Sequence, residues 1–286
     1  MPLEIQRDQR LKMLRPLRRR TETQRRQLRR GVYLLPSLFT LGNMFCGYAC
    51  VVYAMRGEFD LAAPLIGVAV MLDMLDGRIA RMTGTSSAFG LELDSLADVI
   101  SFGVAPAILV FNWGLQPLGR LGWAAGFLFV TGGALRLARF NIQTTTDKRY
   151  FVGMPIPAAA AVPAATVYFY PAGLHDYRSA LPALALMLIP AALMVSTLKF
   201  RSFKTIDLQA RRSYKVLLGL AIVFVAIWTH PQATLVAIAY SYLLSAFVGL
   251  AIGRFRRRSA DAQPVPIAVP PPPAPDEDEA SRSPEE

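Results

Sequence analysis

The chain has two cysteines, two histidines and three tryptophans among its 286 residues. Cys46 and Cys50 are four apart on one apolar segment, so they share a helical face. No further ligand types accompany them, and core packing is expected rather than a metal site or a disulfide. His175 and His230 are isolated from each other and from the cysteines, which argues against a zinc site of the usual nitrogen and sulfur ligands. Alternating strand-like patterning is also missing, which argues against a transmembrane barrel.

What the chain has in abundance is apolar length. Hydrophobic residues make up 53% of it and the mean hydropathy is +0.34. Runs of about 20 apolar residues recur, the length that crosses a hydrocarbon core as a helix. The expected fold is all-α, a polytopic membrane helical bundle. Eight segments are predicted, at about 33–55, 61–82, 92–112, 121–141, 155–172, 180–198, 213–229 and 232–253. The first follows a long basic arm and is expected to be a retained helix rather than a cleaved signal.

Charge divides the chain into three parts. Residues 1–32 form a basic arm of net charge +8, residues 33–258 the membrane domain, and residues 259–286 a Pro-rich acidic tail of net charge −6, expected to be disordered. The arm lacks the aromatic interleaving of a nucleic-acid binder, so its expected partner is anionic membrane lipid, with no nucleic acid. Sixteen Lys and Arg fall on the connections that share a side with the amino terminus, against Arg56, Arg120 and Arg178 on the other. The positive-inside rule then places both termini and those sixteen residues in the cytosol.

Acids are scarce in the apolar segments except in one stretch, MLDMLDGRIARMTGTSSAFGLELDSLADVISFG (71–103). Asp73 and Asp76 are three apart near the end of one segment; Asp94 and Asp98 are four apart at the start of the next. Each spacing puts its pair on one helical face. A helical hairpin brings all four together, with Asp73 and Asp98 deeper and Asp76 and Asp94 nearer the surface. Four like charges in low dielectric need protons or cations. Oxygen-only ligands favour hard divalent ions, Mg²⁺ or Mn²⁺, and two such ions are expected. Gly77, Ala80 and Gly90 leave room on the carboxylate face, and Arg78 and Arg81 bring guanidinium groups suited to phosphate. The combination points to a phosphate or pyrophosphate ligand. A divalent-cation transporter is the rival from another class, but it predicts acids spread across many helices.

Asp73-x2-Asp76-Gly77-x2-Ala80-Arg81-x8-Gly90-x3-Asp94-x3-Asp98 resembles, position for position, the signature of the CDP-alcohol phosphatidyltransferases. YLLPSLFTLGNMFCGY (33–48), SFGVAPAILVF (101–111), ALRLARFN (134–141) and KRYFVGMPIPAAAA (148–161) are similar to the bacterial membrane-integral phosphatidylserine synthase branch. One departure is Ser37, where that branch often has Asn; Asn43 is another amide on the same segment. The resemblance implies a homodimeric enzyme of the bacterial inner membrane with its active site facing the cytosol. CDP-diacylglycerol and L-serine would be its substrates. Asp73, Asp76, Asp94 and Asp98 would hold two metals, with Asp98 also the general base. Gly77, Ala80, Arg81 and Gly90 would receive CDP-diacylglycerol. Another alcohol acceptor (glycerol 3-phosphate, inositol phosphate or choline) stays open. The unrelated synthase class with paired His-x-Lys motifs is excluded by the two scattered histidines.

For serine recognition the candidates are Arg136, Arg139, Asn141 and Lys148, a polar cluster at the end of the fourth segment, with Arg136 deepest in an apolar run. Trp113, Trp123, Tyr168 and Trp228 stand near segment ends and are expected to anchor the interface. Gly122/Gly126 and Gly249/Gly253 have the small-xxx-small spacing of close helix contacts.

Overall fold

The structure is a computed structural model and describes residues 37–83, 87–142, 150–196, 199–201 and 213–245. Among these residues the helices are α1 (Ser37–Met55), α2 (Phe59–Thr83), α3 (Ala88–Leu118), α4 (Arg120–Ile142), α5 (Ile156–Phe169), α6 (Tyr177–Val195), α7 (Ser213–Thr229) and α8 (231–245). The helical architecture is the one the apolar runs predict, with one short strand pair added to it. Four helices, α1, α3, α4 and α6, are long and apolar enough to cross a membrane. The basic arm (1–32), the acidic tail (259–286), Lys148 and the Gly249/Gly253 pair lie outside the described residues.

The longest helix departs most from expectation. α3 runs six residues past its predicted end, and it is not regular. It starts at Ser87, whose extended backbone and Oγ cap the Gly90 N–H at 3.0 Å. Directly after Asp98 the helix widens into a π turn over Val99–Val104, where the Ala105 N–H bonds the Ile100 carbonyl. A second π turn spans Phe111–Leu115. Wide turns of this kind shift the register of side chains above them relative to those below.

Two connections between helices form a short antiparallel ladder, β1 (Tyr150–Val152) and β2 (Lys199–Arg201), with Phe151 opposite Phe200. Tyr, Phe and Val favour extended backbone. The ladder joins the connection after α4 to the connection after α6, so both lie at one end of the bundle. There Gly153 turns the chain with φ +81°; a Cβ on it would come within 2.6 Å of the Met194 carbonyl oxygen.

Helix packing relies on small residues. α2 lies along α5 and α4 along α6. Ala62, Ala63 and Ala69 of α2 are buried, as are Ala159, Ala160 and Ala164 of α5. Alanine lets backbones approach closely where lipid offers little hydrophobic drive for association. Cys46 and Cys50 are free thiols buried on one face of α1, as their spacing predicts. Gly122 serves α4 within the bundle: a Cβ there would run into the Leu115 carbonyl oxygen. Gly126 faces Ala107 of α3 less tightly, since a Cβ on it would make only an ordinary 3.9 Å contact, so of this small-residue pair Gly122 is the one that requires the missing side chain. Trp113 is a core residue and not an anchor. It is buried, and its Nε1 donates to the Tyr170 carbonyl at 2.7 Å. Trp123 and Trp228 are exposed, the arrangement an interfacial role requires.

Gly47 fixes how α1 meets α3. A Cβ built on it would sit 2.5 Å from Ser101 Oγ and 2.7 Å from Ser101 Cα. The second atom is backbone and cannot rotate away. Gly47→Ala is expected to push the helices apart and destabilise the protein by about 1–3 kcal/mol. A lowered melting temperature in detergent checks this; an unchanged one would show that the crossing is not tight.

Candidate active site

The site forms where α1, the end of α2 and the start of α3 meet. The hairpin brings together three of the four aspartates expected to converge: Asp73, Asp76 and Asp94 each offer a carboxylate oxygen within 4.8 Å of the others. Asp98 stands one turn further along α3, outside that triad but within electrostatic range of all three. Asp76 and Asp98 are the most secluded, at 3% and 8% exposure. The expected depth order therefore does not match seclusion by protein, because α1 covers Asp76.

That covering comes from two side chains that spacing in the carboxylate stretch could not reveal. Thr40 Oγ1 donates to Asp76 Oδ2 at 3.0 Å. Asn43 Nδ2 makes a longer, 3.5 Å contact to Asp98 Oδ1. Asn43 is fully buried, and Ser101 Oγ on α3 donates to its backbone carbonyl at 2.9 Å. Thr40, Asn43 and Gly47 recur at helical spacing, which puts them on one face of α1. A polar and small stripe on an otherwise apolar segment was the available signal.

The carboxylates suit hard divalent cations. All donors are oxygens, three converge within 4.8 Å, and Asp94 Oδ1 is buried without a hydrogen-bond partner. An ionised carboxylate so placed needs positive charge. Zinc fits less well, since neither histidine nor cysteine joins the group.

The remaining candidates divide by what they touch. Nothing lies within 4 Å of the position a Cβ would take on Gly77, so there is open space beside Asp76. Ala80 is half-buried and Arg78 exposed. Arg81 is exposed and bends back to its own helix, Nε donating to the Gly77 carbonyl at 2.7 Å. Gly90 is committed locally, for a Cβ there would approach Ser87 Oγ to 3.1 Å.

In the polar cluster of α4, two residues have structural partners. Arg139 Nη1 reaches the Val195 carbonyl at the end of α6, at 3.5 Å. Asn141 Nδ2 donates to Ser95 Oγ at 3.1 Å, joining the end of α4 to the start of α3. Arg136 is the member of the cluster that lies within electrostatic range of an aspartate, Asp98. It is half-buried and has its Nε buried without a hydrogen-bond partner.

The comparisons with known proteins agree with this arrangement. A family model described as CDP-alcohol phosphatidyltransferase matches residues 33–198, which span α1 to α6 and every aspartate of the cluster. The chain is 41% identical over 200 residues to a CDP-diacylglycerol–serine O-phosphatidyltransferase of Helicobacter pylori, covering 68% of this chain and 83% of the relative. It is 39% identical over 168 residues to an archaetidylserine synthase of Methanothermobacter thermautotrophicus, covering 58% and 69% of the two chains. A CDP-diacylglycerol–serine O-phosphatidyltransferase of Methanocaldococcus jannaschii is 49% identical over 96 residues, 34% of this chain and 45% of the relative. The chain is an integral membrane transferase and belongs to the CDP-alcohol phosphatidyltransferase family.

Proposed function

We propose that this protein is a CDP-diacylglycerol–serine O-phosphatidyltransferase, transferring the phosphatidyl group to the hydroxyl of L-serine and releasing CMP. The observation that carries this reading is the three-carboxylate cluster with Asp98 one turn beyond it, in a chain whose relatives bear that name. Asp73, Asp76 and Asp94 would hold divalent cations, Mg²⁺ or Mn²⁺, with Asp98 contributing to the second of two sites. Bound cations supply positive charge against the diphosphate of the donor and the CMP that leaves.

The chain's own residues do the rest. Asp98 accepts the proton of the serine hydroxyl. The serine oxygen bonds to the phosphorus that carries diacylglycerol, and the bond from that phosphorus to the oxygen of CMP breaks. Asn43 holds Asp98 at the edge of the cluster. The open space beside Gly77 admits the donor, with Ala80 and Gly90 lining its approach. Arg81, once released from the Gly77 carbonyl, pairs with phosphate. Arg136 takes the serine carboxylate, and Lys148 is a further candidate for that contact.

The setting follows the charge pattern. All eight helices cross the bacterial inner membrane, both termini are cytosolic, and the site faces the cytosol, where serine is dissolved. The donor enters sideways from the bilayer. The basic arm (1–32) rests on anionic headgroups, and residues 259–286 form a separate acidic tail. The working unit is a homodimer.

The test is an acceptor screen. Purified protein is incubated with CDP-diacylglycerol, Mn²⁺ or Mg²⁺, and serine, glycerol 3-phosphate, inositol phosphate or choline in turn. CMP release is expected with serine and to depend on the cation. Release with a different alcohol instead would replace the acceptor but keep the chemistry. Cation uptake into proteoliposomes without CMP release from any alcohol would favour a transporter.

A further inference from the structure

The three converging carboxylates differ in how much of each is left for a cation. Asp76 is the most secluded, and one of its two oxygens is already engaged. Thr40 Oγ1 reaches across from α1 and donates to Asp76 Oδ2 at 3.0 Å, with both side chains buried. Asp94 shows the opposite state, since its Oδ1 is buried without a hydrogen-bond partner. The same two helices, α1 and α2, approach again at Gly42, where a Cβ would come within 3.3 Å of Leu72 Cδ1. The contact from Thr40 is therefore part of a close helix crossing.

That engagement matters because cations ask different things of a carboxylate. Ca²⁺ takes about six to eight oxygens in flexible geometry and accepts both oxygens of one carboxylate. Mg²⁺ demands a near-octahedral set of oxygens, and Mn²⁺ takes a similar one. A carboxylate whose second oxygen is held by a hydroxyl offers the cation one oxygen, in one direction. Such a ligand fits the octahedral ions and denies Ca²⁺ a two-oxygen grip. Outer hydrogen bonds of this kind also fix the orientation of a metal ligand before the metal arrives.

We propose that Thr40 is a positioning residue that holds Asp76 to one-oxygen ligation, so that the cluster prefers Mg²⁺ or Mn²⁺ and refuses Ca²⁺. The proposal rests on the cation reading above and adds which cation is turned away. Thr40 binds no cation itself and acts through Asp76.

The experiment uses the full chain in detergent micelles. Mn²⁺ binding is followed by electron paramagnetic resonance, and Ca²⁺ is added as the competitor. Thr40→Val keeps the shape of the side chain and removes the hydroxyl. It is expected to weaken Mn²⁺ binding by at least about tenfold, the effect of losing an outer partner of a metal ligand. Ca²⁺ binding should hold or tighten, so the preference for Mn²⁺ over Ca²⁺ falls by a similar factor. Thr40→Ser keeps a hydroxyl and should keep the parental preference. Should the valine protein fail to fold, Thr40→Cys, whose thiol is a weaker donor, should show the same shift at smaller size, and a parental preference there would count against the proposal. An unchanged preference in Thr40→Val would overturn it. So would an equal fall in Thr40→Ser, which would mean that the methyl group and not the hydroxyl governs the site. A parent that binds no Mn²⁺ would overturn the cation reading itself, before any variant is compared.

Discussion

Asp98→Asn is expected to lower serine-dependent CMP release by about 10²–10⁴-fold, the range of general-base contributions. The substitution keeps the size of the side chain and removes its capacity to accept a proton. Its neighbours should stay in place, since Asn43 is held independently by Ser101 through its backbone carbonyl. Asp98 also stands outside the three-carboxylate group, so most cation affinity should survive. The donor KM should change little. Mn²⁺ titration followed by electron paramagnetic resonance separates the two roles. If Asp98→Asn weakened Mn²⁺ binding as much as a change in the triad does, Asp98 would be a ligand first and the base assignment would fall.

The second large effect belongs to Asp94. Asp94→Asn is expected to raise the Mn²⁺ concentration needed for half-maximal activity by at least about tenfold, because it removes one of three converging negative charges. It should also do something that a mere loss of activity would not. Without divalent ions the parent holds three carboxylates within 4.8 Å of one another, and their repulsion opposes the folded state. Asp94→Asn relieves part of that repulsion. In chelator, the variant should therefore melt at a higher temperature than the parent. With saturating Mn²⁺ the order should reverse, since a ligand at 100 times its Kd stabilises by about 2.7 kcal/mol and the variant gains less. Melting curves that keep the same order with and without Mn²⁺ would rule out a cation at this cluster.

The sequence made the hairpin legible because its information is local. Spacings of three and four put Asp73 with Asp76 and Asp94 with Asp98, and one short connection brings the pairs together. The contribution of α1 was harder to see. Thr40 and Asn43 lie more than thirty residues from their partners, and no local rule pairs a threonine with an aspartate at that distance. Trp113 departs from its expected place for a related reason. Its place near a segment end fits an anchor, but α3 continues past that point and buries the ring. Arg136 is already set apart in the sequence as the deeper of the two arginines in an apolar run. What the sequence does not carry is the partner of Arg139, the Val195 carbonyl 56 residues away at the end of α6. Only the packing of α4 along α6 brings those two together.

The π turn that begins at Val99 has an evolutionary reading. Such a turn is an ordinary helix into which one extra residue has been inserted, and each residue of an α-helix advances the face by about 100°. Trimming one position from 99–104 would make α3 straighter and more regular, but it would swing Asp94 and Asp98 about a quarter-circle away from Asp73 and Asp76. The irregular segment thus works as a spacer between a lower half shaped by packing and an upper half shaped by chemistry, and single-residue gaps in this stretch should be the rarest changes that descendants of this chain survive.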